Sequence, residues 1–286
     1  MVLGLIAVAG CGAGGGPTAD PDATGPVVGR SAGSLPRPSH VVVVIFENKG
    51  RAQLFDRAPY LARLAATGAG FVHSHGIAHP SQPNYVALLS GSTHGVRDDS
   101  CPQDLGAKPN LARQLIDAGY TFAGYSESMP AAGFTGCSAA GGLYQRKHNP
   151  WADFGNIPAS DNRRYTGFPT DLSRLPTVSF VVPNMCHDMH SCPVSAGDRW
   201  AGRNLPRYVH WARSHHSLLV VTFDEDDNTT ANHIPTFLVG PMVKPGRVSQ
   251  RVDHYNVLRT LEDMYGLPPL GLASRAHPLH GWTRSR

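Results

Sequence analysis

Five short apolar segments along the chain predict the strands of a buried sheet. The first and the fourth are almost wholly apolar and rich in Val, Leu and Ile, which is typical of strands that are covered on both faces. The predicted strands are residues 40–46, 120–125, 177–182, 217–223 and 235–240.

Between these strands, apolar residues recur at helical spacing, and glycine follows most of the helical segments closely. The predicted helices are residues 58–67, 83–90, 109–118, 199–213 and 254–264. Pro206 is expected to kink or split the fourth helix. Residues 126–170, rich in Gly, Pro and Asn, resemble a long active-site loop. Strands that alternate with helices predict an α/β fold, a single domain with a mainly parallel central sheet flanked by helices.

The N-terminus carries a short apolar run, residues 2–9, that ends in Gly10-Cys11. Val8-Ala9-Gly10-Cys11 resembles a bacterial lipobox, in which the cysteine is lipidated, and the run is too short for an ordinary transmembrane helix. Residues 1–11 are therefore predicted to be an export signal with Cys11 as the lipidation site. The alternative is a disordered apolar tail, since no Lys or Arg precedes the run.

Residues 12–38 are rich in Gly, Pro, Ala and small polar residues, a composition that predicts a flexible tether. Residues 39–286 would then form the catalytic domain of an exported protein, either secreted or held at the cell surface as a lipoprotein. Membrane contact is expected only through the N-terminal lipid.

Charge adds little to this picture. The chain has 25 Lys and Arg against 21 Asp and Glu, a net charge of +4, and contains no run of five basic residues. Nucleic acid is therefore not an expected partner.

Four cysteines follow the N-terminal segment, and an even number in an exported protein predicts two disulfides. They are Cys101, Cys137, Cys186 and Cys192. Three pairings are possible, and Cys101–Cys137 with Cys186–Cys192 is favoured because each bond closes a local loop. Zinc binding by these thiols is disfavoured because no CxxC pair occurs.

Polar clusters follow the two most apolar strands. Glu47-Asn48 comes directly after the first, and the acidic run Asp224-Glu225-Asp226-Asp227 comes directly after the fourth. Either could be a solvated turn. Ligands of parallel sheets bind beyond the carboxyl ends of the strands, so the two clusters together predict one divalent metal site. Oxygen ligands suit Mg²⁺, Ca²⁺ or Mn²⁺, and with imidazole they also suit Zn²⁺ or Fe.

Ser81 lies in the segment His79-Pro80-Ser81-Gln82-Pro83-Asn84-Tyr85, just before a predicted helix. The N–H groups and the positive dipole end of that helix would favour an anion such as phosphate. Metal coordination can activate a serine hydroxyl as a nucleophile. The alternative is an N-cap serine without a catalytic role.

Histidine occurs 15 times. His187 and His190 follow the third strand and His233 precedes the fifth, so these three are expected to line the site and to bind phosphate or protonate a leaving group. Another group of histidines is expected to be structural: His73, His75 and His148.

Four motifs follow one another along the chain, and together they resemble the bacterial phosphoesterase family. They are a strand followed by Glu-Asn, then Ser-Gln-Pro-Asn, then Pro-Asn…His-Asp…His, and last a strand followed by Asp-Glu…Asp…His. That family includes secreted acid phosphatases and phospholipases C and is related to the alkaline phosphatase superfamily. The motifs HPSQPNY, PNMCHDMHSC and HYNVLRTLEDMYGLP are similar to the short acid-phosphatase branch, and the resemblance covers about residues 39–270.

The resemblance implies specific roles. One metal ion would be held by Glu47, Asn48, Ser81, Asp224 and Glu225, with Asp226 or Asp227 as possible substitutes for Glu225. Asn84 and His79 would bind phosphate, and Ser81 would also be the nucleophile. His187, His190 and His233 would bind phosphate or act as the acid.

The expected activity is that of an exported, metal-dependent phosphomonoesterase of the acid-phosphatase type that works through a phosphoserine. Its substrate would be a phosphorylated small molecule or lipid headgroup. Asp226-Asp227-Asn228 replaces the Asp-Gly that often follows the Asp-Glu pair in the phospholipases, which favours a monoesterase over a phospholipase C or other phosphodiesterase. A sulfatase-like relative and a non-catalytic lipoprotein that binds anions are further alternatives.

Overall fold

The computed structural model describes residues 35–284, which contain ten strands and six α-helices. The strands are β1 (Val41–Phe46), β2 (Ala69–Ser74), β3 (Phe122–Ser126), β4 (Ser138–Ala139), β5 (Tyr144–Gln145), β6 (Asn162–Arg164), β7 (Val178–Val182), β8 (Leu218–Phe223), β9 (Thr236–Val239) and β10 (Gly246–Val252). The helices are α1 (Arg51–Arg57), α2 (Pro59–Ala66), α3 (Ser81–Ser90), α4 (Leu111–Asp117), α5 (Val194–Ala212) and α6 (His254–Tyr265).

Eight strands form one sheet in the order β10-β2-β9-β8-β1-β7-β3-β6. All neighbours are parallel except those of β9, which runs antiparallel to both β2 and β8. Strands β4 and β5 form a separate antiparallel pair. The mainly parallel α/β sheet predicted from the sequence is confirmed.

A layer of helices covers each face of the sheet. Leucine and valine side chains of α3, α4 and α6 pack on one face, and those of α1, α2 and α5 pack on the other. Every residue of β1 and β8 is buried, because these central strands are covered on both sides. In β3, Gly124 leaves room for the indole of Trp151, since a Cβ there would lie 2.1 Å from the ring.

The structure refines several predicted elements. The helix expected at 83–90 begins at Ser81, and α5 begins at Val194 and continues through Pro206 without a break. The predicted strand at 235–240 is the antiparallel β9. Residues 126–170 contain short strands and one-turn 3₁₀-helices.

Six elements had no strong sequence signal: α1, β2, β4, β5, β6 and β10. Five of them are strands, and two of these, β6 and β10, lie at the edges of the large sheet. Strand β10 (GRVSQRV) has mainly exposed side chains, so it lacks the apolar run that marks a central strand.

The structure contains both predicted disulfides, Cys101–Cys137 and Cys186–Cys192. No helix among residues 35–284 is long and apolar enough to cross a membrane. The predicted export signal at 1–11, Cys11 and most of the tether at 12–38 lie outside the described residues.

Candidate active site

The register of β1 and β8 brings the two predicted ligand clusters together. Phe46 pairs with Phe223 at the carboxyl ends of these strands, so Glu47 and Asp224 leave the sheet side by side. Asn48 follows with φ = 46°, a left-handed conformation that Asn adopts more readily than most residues. Its backbone N–H donates to Asp224 Oδ1 at 3.1 Å, and its side-chain amide donates to Glu225 Oε1 at 3.0 Å.

Ser81 is the first residue of α3 and completes this cluster. Its Oγ lies 3.1 Å from Glu47 Oε2 and 2.9 Å from Glu225 Oε1, and its side chain is buried. The structure thus brings together all five residues predicted to hold the metal. Asp226 and Asp227 point to other partners: Asp226 accepts from Thr229 and from the backbone of His233, and Asp227 accepts from Gln53.

Asn84 and His79 hold the segment that precedes Ser81. Asn84 Oδ1 accepts from the backbone N–H groups of Ile77 and Ala78, and its amide donates to the carbonyls of Ala78 and Pro80. The ring of His79 bonds to Glu225 through Nδ1 and to the carbonyl of Thr229 through Nε2. Phosphate binding by these two residues stays a prediction, and their polar atoms are engaged within the protein.

Buried carboxyl groups crowd the centre of the site. Burial, with the charges of Asp224 and Asp188, holds the pKa of Glu47 well above its usual value. Burial and the charge of Glu225 raise the pKa of Asp224 to about 7. The pKa of Asp188 is also raised, mainly by burial. Such crowding favours protonation unless a cation compensates the negative charge.

These residues fit a divalent cation. Asn48 Oδ1 and Asp224 Oδ2 are buried and have no hydrogen-bond partner among residues 35–284. Unpaired buried oxygens are costly, and a metal ion would satisfy both. A second group, Glu47, His148 and Asp188, has ligand atoms within 4.8 Å of one another. Oxygen donors with one imidazole are compatible with Mg²⁺, Ca²⁺, Mn²⁺, Zn²⁺ or Fe, so the donor set leaves the metal's identity open.

Tyr85 and His148 support Glu47 from the side away from Ser81. The hydroxyl of Tyr85 donates to Glu47 Oε1, and the Tyr85 and His148 rings stack with centroids 5.3 Å apart. His148 Nε2 lies 3.3 Å from Glu47 Oε1, and Nδ1 lies 3.3 Å from Asp188 Oδ2. Burial, with the charges of Lys147 and His190, holds the pKa of His148 well below its usual value. His148, for which the sequence predicts a structural role, thus lies beside the ligand cluster, and its role stays a prediction.

Lys147 and His190 lie at the edge of this cluster. Lys147 Nζ is 2.7 Å from Asp99 Oδ2 and 3.4 Å from His190 Nε2. The other oxygen of Asp99 accepts from the backbone N–H of Gln82 in the first turn of α3, at 3.0 Å. The centroids of the His190 and His148 rings are 5.7 Å apart. A positive charge thus lies beside the predicted catalytic histidine.

The other two predicted histidines have different surroundings. His187 Nδ1 pairs with Glu127 at 2.9 Å, in the loop closed by the Cys186–Cys192 disulfide. His233 stacks on His75, and its Nε2 donates to the carbonyl of Val72 at 2.8 Å. Their catalytic roles stay predictions, and among residues 35–284 the His233 ring makes no hydrogen bond or ion pair with the five predicted metal ligands.

The model of the Phosphoesterase family matches residues 54–268. The chain belongs to the Phosphoesterase family. This phosphoesterase is 46% identical over 258 residues to the phosphatidylinositol-3-phosphatase of Mycobacterium tuberculosis, a match that covers 89% of this chain and 86% of that protein.

A phosphate-repressible acid phosphatase of Penicillium chrysogenum is 32% identical to this phosphoesterase over 229 residues. The match covers 74% of this chain but only 55% of the fungal enzyme, so the chain spans about half of that relative. Membership in a family with phosphatases of this kind makes the protein a hydrolase that acts on phosphate esters.

Solved structures confirm the fold of this phosphoesterase. An alkaline phosphatase superfamily protein from Vibrio parahaemolyticus superposes with a TM-score of 0.62 at 14% identity, covering 85% of this chain and 71% of that one. A phosphonate monoester hydrolase from Silicibacter pomeroyi superposes with a TM-score of 0.57 at 13% identity, covering 84% and 76%. At such low identity the likeness establishes the alkaline phosphatase-like fold alone.

Sequence reasoning about this phosphoesterase missed several site residues: Tyr85, Asp99, Lys147, His148 and Asp188. Tyr85 carried a usable signal, because it lies one helical turn after Ser81 and residues four apart share a helix face. Asp188 lies inside the Asn184–Cys192 motif. Lys147 and His148 belong to the irregular segment, where no periodicity indicates which way a side chain points.

Proposed function

We propose that this phosphoesterase is an exported, metal-dependent phosphomonoesterase of the acid-phosphatase type with Ser81 as its nucleophile. One observation carries the proposal: Ser81 Oγ lies 3.1 Å from Glu47 and 2.9 Å from Glu225, at the first turn of a helix. A hydroxyl held there meets the two needs of phosphoryl transfer, a deprotonating environment and positive charge near the phosphate.

The metal site proposed consists of Glu47, Asn48, Ser81, Asp224 and Glu225. A divalent ion held there would supply positive charge that offsets the crowded carboxylates, would lower the pKa of the Ser81 hydroxyl and would polarise the phosphoryl group. The unpaired oxygens of Asn48 and Asp224 support this ligand set. The engagement of Asp226 and Asp227 elsewhere supports Glu225 as the last ligand.

In the proposed reaction, Ser81 Oγ forms a bond to phosphorus while the bond from phosphorus to the alcohol oxygen breaks. The serine proton passes to a carboxylate oxygen of Glu225 or Glu47, both within hydrogen-bond reach. His190 is the proposed acid for the departing alcohol; burial and the charge of Lys147 lower its pKa, which makes its protonated form a stronger acid. Lys147 and the N-terminus of α3 stabilise the negative charge that develops on the phosphoryl oxygens. Water then cleaves the phosphoserine, which releases phosphate and restores Ser81.

The substrate class proposed is a phosphate monoester on a small polyol or on a lipid headgroup. The similarity to a phosphatidylinositol-3-phosphatase supports a phosphoinositide headgroup as a candidate. Lys49 and Lys147 are both close enough to lower the pKa values of Asp188 and His190, so positive charge near the site suits an anionic substrate.

Export is part of the same proposal. The two disulfides support an oxidising compartment. We propose that residues 1–11 are an export signal with lipidation at Cys11 and that residues 12–38 are a tether. Residues 39–286 are the proposed catalytic domain.

The deciding experiment measures p-nitrophenyl phosphate hydrolysis by the full chain across pH, with and without chelator. Ser81→Ala is compared with Ser90→Ala, a matched control at the other end of α3. We expect chelator-sensitive activity that falls by at least about a thousandfold in Ser81→Ala and persists in Ser90→Ala. Acid-quenched wild-type enzyme should carry phosphate on Ser81.

Three outcomes would contradict the proposal. Substantial activity of Ser81→Ala would remove the serine mechanism. Hydrolysis of bis(p-nitrophenyl) phosphate without hydrolysis of the monoester would indicate a phosphodiesterase. A folded wild-type protein that binds no divalent metal would support a non-catalytic anion-binding lipoprotein instead.

A further inference from the structure

The outward face of α5 carries a line of arginines. Arg199, Arg203 and Arg207 follow one another at intervals of four residues, and all three are exposed. Because residues four apart share a helix face, their guanidinium groups form one stripe about 12 Å long. We call these three residues the arginine stripe.

No member of the arginine stripe makes a side-chain hydrogen bond or ion pair with another residue of the range 35–284. The nearest acid on α5, Asp198, is buried and accepts from the backbone N–H groups of Tyr60 and Leu61, at 3.1 and 2.9 Å. Its charge therefore stabilises the start of α2 rather than the arginines. The stripe has no ion-pair partner on α5, and Asp171, which lines a cleft together with Arg207, offsets part of its positive charge.

The helices on the opposite face of the sheet are different. There, Arg113 on α4 pairs with Asp117, and Arg259 on α6 pairs with Asp263 at 2.7 Å. Arginines of both helices thus have an acid one turn later, whereas the arginine stripe has none. The two helical layers therefore differ in how many of their arginines have no acidic partner and can bind an anion.

Two clefts lie beside the stripe. One, of about 440 Å³, is lined by Arg207, His210 and Trp211 together with Thr170 and Asp171. The other, of about 400 Å³, is lined by Arg163 and Arg174 and shares the Thr170–Asp171 wall.

Asp171 is the carboxylate common to both clefts, and three arginines, Arg163, Arg174 and Arg207, outnumber it there. It accepts from the backbone and the hydroxyl of Ser173, at 3.1 and 2.7 Å. Each cleft is large enough for a phosphorylated headgroup, and each has at least one arginine on its wall. Arginine binds phosphate oxygens with two parallel hydrogen bonds, which fits such a ligand.

We propose that the arginine stripe and its two clefts form a docking surface for a bilayer of anionic phospholipids. The stripe runs along one straight helix, and each cleft has room for one headgroup. A surface of this kind suits the flat layer of phosphates in a bilayer. Among the described residues, the exposed large hydrophobic side chains are Leu143 and Leu272, and neither lies on α5. Binding is therefore electrostatic adsorption onto the headgroup layer, and it weakens as salt screens the charges.

The position of the stripe connects docking to the site. Helix α5 begins directly after the loop that the Cys186–Cys192 disulfide closes, and this loop carries His187 and His190. Arg199 is therefore near the end of the helix that faces the candidate active site. A bilayer held by the stripe would extend toward the same edge of the sheet.

The test is sedimentation of the full chain with vesicles of phosphatidylcholine alone or mixed with phosphatidylglycerol. All samples carry Cys11→Ser, so that lipidation cannot contribute, and charge-dependent binding is the difference between the two vesicle types. Arg203→Glu/Arg207→Glu is compared with Arg97→Glu/Arg275→Glu, two exposed arginines on the side of the opposite helical layer. We expect the stripe variant to lose at least about tenfold in affinity for anionic vesicles and the control variant to bind like wild type.

Hydrolysis of p-nitrophenyl phosphate should be unchanged in the stripe variant, which checks its fold. Equal losses in both double variants would attribute binding to net charge rather than to this surface. Undiminished binding by the stripe variant, or equal binding of wild type to both vesicle types, would also overturn the proposal. Binding of heparin as tight as that of anionic vesicles, and lost by the same substitutions, would assign the surface to a soluble polyanion instead.

Discussion

The hydroxyl oxygen of Ser81 lies 2.9 Å from Oε1 of Glu225, although 144 residues separate them in the chain. The same glutamate oxygen accepts from the amide of Asn48, and its partner oxygen accepts from His79. The proposed nucleophile therefore shares its hydrogen-bond acceptor with a proposed metal ligand. Any change in charge at this cluster should alter metal binding, stability and catalysis together.

Glu47→Gln tests the metal site. Loss of one anionic ligand should lower the affinity for divalent metal by at least about tenfold. The metal-free variant should nevertheless be more stable than metal-free wild type near neutral pH, since glutamine removes a buried carboxyl whose pKa is raised by burial and by the charges of Asp224 and Asp188. Calorimetric titration and urea unfolding with and without metal measure both effects.

Glu127→Gln is the matched control, because Glu127 pairs with His187 outside the ligand cluster. It should leave metal affinity close to that of wild type. Unchanged metal binding in Glu47→Gln would remove Glu47 from the site.

Lys147→Ala tests the positive charge beside His190. A charged group that binds a phosphoryl oxygen contributes about 1.5–3 kcal/mol, so KM for p-nitrophenyl phosphate should rise by about ten- to a hundredfold. Asp99→Asn should have a smaller effect in the same direction, because the lysine loses the partner that positions it at 2.7 Å. Lys108→Ala, an exposed lysine on another loop, is the control. An unchanged KM in Lys147→Ala would place this lysine outside the substrate site.

Loss of one disulfide should mainly lower the stability of the protein, and loss of the other should mainly lower its activity. Cys101–Cys137 spans 36 residues and Cys186–Cys192 spans 6, so the chain-entropy model assigns about 3.8 and about 2.2 kcal/mol to them. Replacing the first pair by serine should therefore cost more free energy of unfolding in urea. Replacing the second should reduce kcat more, because that loop carries Asp188 and His190. The reverse ranking of both effects would contradict this division.

Glu262 should make stability depend on pH. It is buried on α6, accepts from the backbone of Leu270 at 2.8 Å, and burial raises its pKa to about 8 from an ordinary value of 4.5. The folded state thus binds one more proton than the unfolded state between these two values. The contribution of Glu262 should make the protein less stable as pH rises from about 4.5 to about 8.

Glu262→Gln removes this titration, so the difference in unfolding free energy between variant and wild type should grow over the same pH range. Urea unfolding at several pH values measures it. Glu127→Gln again serves as the control. A difference that is constant with pH would show that Glu262 keeps an ordinary pKa.

The sequence by itself determined the architecture and the two ligand clusters. Central strands such as β1 and β8 are apolar at every position because both faces are covered, so they are recognisable without structure. The carboxyl ends of these strands locate Glu47 and Asp224. The position of Ser81 just before a predicted helix indicated it as a site for an anion. Edge strand β10 escaped prediction because its exposed polar side chains leave no apolar run.

Only the tertiary structure decided which polar side chains meet. The β1–β8 register aligned Glu47 with Asp224. Asp188 came from the loop that follows β7, the other neighbour of β1, and its carbonyl accepts from the backbone N–H of Glu47 at 2.8 Å. Lys147 and His148 reached the site from an irregular segment, where no repeating pattern fixes side-chain direction. Periodicity records which face of an element is buried, but contacts between distant segments depend on how the packed layers fit. The sequence therefore indicated the metal ligands, whereas only the fold showed that Asp188, Lys147 and His148 surround them.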